Sequence, residues 1–446
     1  MHFSSLDLAP DLYRALVDYG YRDMTPVQMQ AIVPARRGKD IQVTAQTGTG
    51  KTAAFAIPIL QRMLDNPKST IERRPRALIL TPTRELAEQL ADAISAYARY
   101  LPLRVTALYG GAKLSGQANK LNAGVDIVIS TPGRLLEHMA LGNVTLRDVE
   151  FVVLDEADRM LDMGFSADVL KLLNMTAAKR QTMLFSATTS PAVNELSHKI
   201  LHNHEQIRVA RANSTADTIS HVVYPVEEGR KVELFTQLLA EQNWFQVLVF
   251  TSTKEQAERL LAELQKTKVN AAVCHGDKNQ GARRRAIADF KSAKLQVLIA
   301  TEVAARGLDM RGLNLVVNFN LPYLPEDYVH RIGRTGRAGA KGHAISFVSR
   351  EEEQSLERIQ KLIGTNIKRI NKRGFEVSNR DILVKRISRK VLSNRANKAT
   401  ETSIDLRRSG SSKPKRSTKT NSIAQSTGKG RAQGRTGVKS KSNRSK

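Results

Sequence analysis

Eleven short apolar runs, rich in β-branched residues and separated by stretches of helix length, organise the chain up to about residue 350. The first six are Asp40–Ala45, Ala77–Thr81, Val105–Tyr109, Asp126–Ser130, Phe151–Asp155 and Thr182–Ser186. The others are Val247–Thr251, Ala271–Cys274, Val297–Thr301, Leu315–Asn320 and Ala344–Ser349. A short run that is apolar on both faces reads as a strand buried on both sides of a parallel sheet. Parallel strands need crossovers, and the helical stretches supply them. The expectation is an α/β chain of two doubly wound parallel-sheet domains, with functional loops at the carboxyl ends of the strands.

Between the two series, residues 210–218 are small and polar and read as an interdomain linker. The expected division is a first domain over 1–209, a second over 219–365 and a tail over 366–446. The formal net charge of +27 is uneven: residues 366–446 hold 24 Lys and Arg against 4 Asp and Glu, leaving only +7 on the rest. From about Ser409 the tail has scarcely an apolar residue, so it is expected to be disordered, and such a polycation favours polyanionic partners. Within it, residues 381–393 alternate apolar with basic side chains and could form a short amphipathic helix on RNA or a partner. No long apolar run suggests a membrane span, and no secretory signal is visible. The single cysteine, Cys274, excludes an intrachain disulfide and a cysteine zinc cluster, which fits a cytoplasmic setting.

Three motifs carry chemistry. Ala45-Gln46-Thr47-Gly48-Thr49-Gly50-Lys51-Thr52 follows the first strand and precedes a helix. Its glycines let backbone N–H groups turn in on phosphate oxygens at a helix N-terminus; Lys51 can reach the terminal phosphates and Thr52 can offer a hydroxyl to Mg²⁺. Asp155-Glu156-Ala157-Asp158 ends another strand, where one carboxylate can hold Mg²⁺ through water and its neighbour can act on the attacking water. His330-Arg331-Ile332-Gly333-Arg334-Thr335-Gly336-Arg337, in the second domain, suits an anion reached from across a cleft. Arginine fingers of that kind speed phosphoryl transfer by roughly 10³–10⁵.

With further stretches in order, the sequence from residue 3 to about 350 resembles the DEAD-box ATP-dependent RNA helicases. The added stretches are Gly20-Tyr21 through Thr25-Pro26-Val27-Gln28 with the upstream aromatic Phe3, then Pro82-Thr83-Arg84-Glu85-Leu86-Ala87, Gly110-Gly111, Thr131-Pro132-Gly133-Arg134 and Ser186-Ala187-Thr188. In the second half they are Val249-Phe250-Thr251, Gln280-Gly281-Ala282-Arg283, and Ala300-Thr301-Glu302 through Gly307-Leu308-Asp309. The spelling of residues 154–165 and 297–309 is most similar to the bacterial RhlE-type subgroup.

The resemblance implies two tandem RecA-like domains and an RNA-stimulated ATPase with ATP and Mg²⁺ as cofactors. It implies that Phe3, Tyr21 and Gln28 bind adenine, residues 45–52 the phosphates, and Gly307 and Asp309 the ribose side. Lys51, Asp155, Glu156, Arg334 and Arg337 would carry catalysis, with Thr52 and Asp155 at the metal. Asp158, Ser186, Thr188 and His330 would couple the lobes. RNA would cross Pro82, Thr83, Arg84, Gly110, Gly111, Thr131, Pro132, Gly133, Arg134, Thr251, Arg283 and Thr301. These are mainly backbone, hydroxyl and arginine donors, suited to phosphates and 2′-hydroxyls, so binding is expected to be independent of sequence.

Met24 stands where the family usually has proline, and Glu302 where it usually has aspartate; the expectation is a looser turn at the first and modestly altered coupling at the second. Closure of two lobes on single-stranded RNA, with local and non-processive unwinding by a monomeric core, is the leading expectation. A DNA helicase on the same core, or an RNA clamp or annealing factor held by the tail, stands beside it. Ribosomal or RNA-degradation proteins are open as partners.

Overall fold

The computed structural model describes residues 1–46, 48–69, 71–209, 219–267, 269–305, 313–336 and 342–377. Two seven-stranded sheets, parallel throughout, account for its architecture. The first contains β1 (Ile41–Thr44), β2 (Ala77–Leu80), β3 (Val105–Leu108), β4 (Ile127–Ser130), β5 (Phe151–Leu154), β6 (Gln181–Ser186) and β7 (Glu205–Arg208), in the order β3-β4-β2-β5-β6-β1-β7. The second contains β8 (Ile219–Pro225), β9 (Val247–Thr251), β10 (Ala271–Cys274), β11 (Val297–Thr301), β12 (Leu315–Asn318), β13 (Gly342–Val348) and β14 (Lys368–Arg369), in the order β10-β11-β9-β12-β13-β8-β14. Renumbered from its own first strand, the second order is the same as the first. The two lobes are topological copies.

The central strands of each sheet are buried on both faces, which is why they read as continuous apolar runs. Along β2, Ala77 and Ile79 enter one core while Leu78 and Leu80 enter the other. In the second lobe Val247 and Val249 of β9 pack on one side, and Leu248 and Phe250 on the other.

All eleven expected runs contain a strand. Three further strands escaped the sequence pattern: β7, β8 and β14. β7 and β14 are edge strands with mostly exposed, polar or charged side chains. β8 follows residues 210–218 directly, and its Ser220 and His221 interrupt any apolar run. The composition boundary at residue 366 also falls too early. Lys368 and Arg369 pair with Val222 and Val223 of β8, and Phe375 is buried in the second lobe, so residues 366–377 belong to that fold. The linker 210–218 and residues 378–446, with the expected amphipathic stretch 381–393, lie outside the described residues. No helix among the described residues is long and apolar enough to cross a membrane.

Candidate nucleotide and nucleic-acid site

The phosphate loop joins β1 to the helix Lys51–Asp65, so the helix N-terminus opens where the strand ends. Gly50, with φ of +94°, makes that entry. A side chain there would be strained, and its Cβ would lie 2.5 Å from the Gln28 amide nitrogen. Thr49 ties the loop to itself by donating its hydroxyl to the Gln46 carbonyl at 2.7 Å. Thr47 lies outside the described residues.

Lys51 is almost wholly buried, and its ammonium has no hydrogen-bond partner. Asp155, equally buried at the end of β5, has its carboxyl pushed up to about 6 by burial; Lys51 pulls it back down, while Glu156 and Asp158 add to the rise. A buried ammonium without a hydrogen bond beside a buried carboxyl is an expensive arrangement unless further charges complete it. A phosphate chain with a divalent cation fits both ends, giving Lys51 its anion and Asp155 its cation. Among the described residues no group of three or more His, Cys, Asp and Glu could hold a metal. A Mg²⁺ here would therefore take its ligands from phosphates, water, Asp155 and the half-buried Thr52, as this cation commonly does.

Glu156 holds a left-handed backbone (φ +55°, ψ +50°), and its N–H donates to the Asp155 carboxylate at 3.1 Å. A non-glycine residue in that region costs about 1–3 kcal/mol, which the surrounding structure must offset. Asp158 then accepts the backbone N–H groups of Ala187 at 3.1 Å and Thr188 at 3.0 Å. The Ser186 hydroxyl donates to the Thr188 carbonyl at 2.8 Å. The acidic turn and the end of β6 are thus one hydrogen-bonded unit within the first lobe. His330 makes its cross-lobe hydrogen bond to Arg159, which the motif reading had left out.

At the base side, Tyr21 is half-buried and its hydroxyl meets that of Tyr97 at 2.9 Å. Phe3 is 1% exposed and packs 5.2 Å from the Tyr21 ring, so it props Tyr21 from behind and offers no face to a ligand. Gln28 is fully buried: its amide oxygen accepts the Thr25 N–H at 2.8 Å, and its amide nitrogen donates to the Gly50 carbonyl at 3.2 Å. One proton and one lone pair of the amide remain for a base. Tyr97 was missed because an aromatic at the end of a long helix gives no motif. Met24 uses its N–H to donate to the Met1 carbonyl at 2.9 Å, a bond that proline could not make, and its side chain is buried. The turn is therefore pinned where a looser one was expected.

The expected RNA residues of the first lobe converge at the ends of β2, β3 and β4. Thr83 caps the helix Arg84–Tyr97, accepting the Leu86 N–H at 3.3 Å, and Pro82 is buried beneath it. Arg84 lies over the Gly110-Gly111 turn: a Cβ on Gly111 (φ +82°) would come 2.9 Å from its guanidinium carbon. Thr131, Pro132 and Gly133 open the helix Pro132–Ala140, where Gly133 is exposed and Arg134 donates to the Ala112 carbonyl at 3.1 Å. Beneath this surface lies buried His138. Its Nε2 faces the Gln117 amide oxygen at 3.2 Å, and Gln117 donates onward to the Tyr109 carbonyl at 3.0 Å.

The second lobe differs more from expectation. Thr251 is fully buried and donates its hydroxyl to the Thr253 carbonyl at 3.2 Å, so it shapes a turn. Arg283 is held by Glu85 of the first lobe. Thr301, at the end of β11, is half-buried. Arg334 is buried in the turn after the helix Pro325–Ile332. Gly307, Asp309 and Arg337 lie outside the described residues. Arg331 is a buried hub whose Nε donates to Glu302 at 2.5 Å and whose Nη1 donates to the Asn320 carbonyl at 2.7 Å. The departure Glu302 therefore ties the loop after β11 to the arginine loop.

Two family models match the chain: DEAD/DEAH box helicase over residues 25–196 and Helicase conserved C-terminal domain over residues 230–339. The ATP-dependent RNA helicase RhlB of Pseudomonas syringae pv. tomato is 40% identical over 371 residues, covering 82% of this chain and 93% of that protein. The ATP-dependent RNA helicase DbpA of Bacillus subtilis is 40% identical over 369 residues, covering 83% and 76%. Among solved structures, S. cerevisiae Dbp5 bound to RNA and ADP BeF3 superposes with a TM-score of 0.74 at 29% identity, covering 88% of this chain and 99% of that one. Mss116p bound to ssRNA and AMP-PNP gives 0.75 at 27%, covering 85% and 80%. A phosphate loop, an acidic turn and an arginine loop on two copies of one sheet, with these relatives, place the chain in the DEAD-box family of ATP-dependent RNA helicases.

Proposed function

We propose that the protein works as a conformational clamp, in which ATP and RNA together close the two lobes and hydrolysis reopens them. The observation that carries this reading is Lys51, a buried ammonium without a partner in the first lobe, while the arginine loop belongs to the second. Neither lobe alone holds a complete phosphoryl-transfer site, so chemistry depends on their meeting. Lys51, Thr52 and Asp155 hold the phosphates and Mg²⁺, and Glu156 acts on the attacking water. Arg334 and Arg337 supply the positive charge from across the cleft. Tyr21 stacks on adenine, with Phe3 behind it, while Gln28 reads its edge, and Gly307 and Asp309 would serve the ribose.

RNA lies on Arg84, Gly110, Gly111 and Thr131–Arg134 of the first lobe and on Thr301 of the second, while Arg283, buried against Glu85, joins the lobes. Dbp5 and Mss116p were solved with RNA bound, and the N–H, hydroxyl and guanidinium donors here suit the same ligand. A surface that accepts one strand expels its complement locally, so unwinding is short-range, and the basic tail adds electrostatic grip. Closure favoured by both ligands makes their binding cooperative, with coupling of typically about 1–3 kcal/mol.

Glu156→Gln tests the assignment. Hydrolysis falls by about a hundredfold or more, the scale of a lost general base, while ATP and RNA stay bound together. Unchanged turnover would remove Glu156 from the reaction. Equal stimulation of the wild-type ATPase by RNA and by DNA of the same sequence would favour the DNA-helicase alternative.

A further inference from the structure

Arg159 follows the acidic turn directly, on the helix Ala157–Asp162, and only 4% of its side chain is exposed. Its N–H donates at 3.1 Å to the same Asp158 carboxylate that holds the end of β6. The backbone of Arg159 is thereby fixed to the nucleotide side of the first lobe. Its guanidinium points the other way. Within its own lobe the partner is Asp162 at 3.3 Å, itself 43% exposed. Across the interface it pairs with Asp327 and hydrogen-bonds to His330, both on the helix Pro325–Ile332.

That helix runs straight into the Gly333-Arg334 turn, so a shift of Asp327 and His330 carries Arg334 with it. The cross-lobe pairs on the nucleic-acid side, Glu85 with Arg283 and Glu88 with Arg284, have the opposite polarity, acid from the first lobe and base from the second. The Arg159 contact lies on the nucleotide side, where Arg159 and His330 line one cavity with Ala45 and Gln46 of the phosphate loop. Without the second lobe, Arg159 keeps one solvated carboxylate in place of a buried one, so the full contact exists only when the lobes are together.

We propose that Arg159 is a positioning residue for ATP hydrolysis, a latch that engages Asp327 and His330 and so sets the arginine loop of the second lobe against the acidic turn of the first. This rests on the closure reading above and names the contact that enforces it. RNA grip by either lobe alone does not need the latch; hydrolysis and the mutual reinforcement of ATP and RNA do.

The test is a double-mutant cycle in the full chain: Arg159→Gln, Asp327→Asn and both together. Two quantities are read: kcat with saturating RNA, and the ratio of RNA Kd without and with the non-hydrolysable analogue AMP-PNP. Each single variant is expected to lower that ratio about tenfold and to lower kcat, leaving RNA Kd without nucleotide within about twofold. The double variant is expected to be no worse than the weaker single, because the partners act as one unit. Arg159→Lys keeps a cation but loses the fork that reaches both partners; it is expected to recover part of the ratio and stays informative if the glutamine variant does not fold. Additive single effects, or parallel loss of nucleotide-free RNA binding, would overturn the latch. A wild type with no coupling ratio would overturn closure itself, and the latch with it.

Discussion

Arg283 of the second lobe lies 2.6 Å from Glu85 of the first, and both side chains are almost wholly removed from solvent. The pair closes the lobes across the face where RNA is expected. Burial raises the Glu85 pKa and Arg283 opposes that rise, so the carboxylate depends on its partner. Arg283→Ala leaves Glu85 buried and uncompensated whenever the lobes meet, a penalty of about 3 kcal/mol. RNA-stimulated ATP turnover is expected to fall by roughly two orders of magnitude. Adding Glu85→Gln should recover part of the loss, and a steady-state ATPase assay of the two variants checks it.

Gly111 gives Arg84 its place, since the guanidinium occupies the space a side chain would fill. Gly111→Ala strains a backbone at φ +82° and displaces Arg84. The expected outcome is a loss of about 1 kcal/mol in stability, together with weaker RNA binding. Because both changes act through one guanidinium, the Kd of Gly111→Ala with Arg84→Ala should match that of Arg84→Ala alone. Fluorescence anisotropy with a labelled single strand, beside a thermal melt, separates the two effects.

His138 is buried under the same surface, and its pKa is lowered by that burial and then by Arg134. The folded lobe therefore holds a neutral imidazole that the unfolded chain protonates near pH 6.5. Its contribution to stability is full above that value and is lost as pH falls from about 6.5 toward the lower folded pKa. Urea melts between pH 7 and 5 should show this slope in the wild type and a shallower one in His138→Gln. Arg134→Ala should move the folded imidazole pKa upward in an NMR titration.

Residues 366–446 carry a net +20. Phosphate contacts release counterions, so log Kd rises with log salt in proportion to their number. Truncation after Val377, which keeps β14 and Phe375, should leave ATP turnover with saturating RNA near the full-length value. It should make the salt dependence of RNA binding shallower. Equal slopes for the two chains would show that the tail does not touch RNA.

The central strands of both sheets were legible because burial on both faces leaves an uninterrupted apolar run, as at Val247–Thr251. The edge strands β7 and β14 lack that signature: Glu205–Arg208 has one buried side chain, and Lys368–Arg369 has none. The phosphate loop and acidic turn were legible because their chemistry needs particular residues at fixed spacing. Roles that arise only from three-dimensional packing were not. Phe3 reads as a ligand contact but is a prop, and Thr251 reads as an RNA donor but is spent on a turn. Arg159 looks like any helix cation until Asp327, far along the chain, is placed beside it.

The clamp itself is tested most directly by the distance between the lobes, read by energy transfer between a dye on the first and a dye on the second. The account predicts that AMP-PNP alone and single-stranded RNA alone each leave most molecules at the wider separation, and that the two together shift the population to the shorter one. A separation that ignores both ligands, or that closes equally with either one alone, would contradict it.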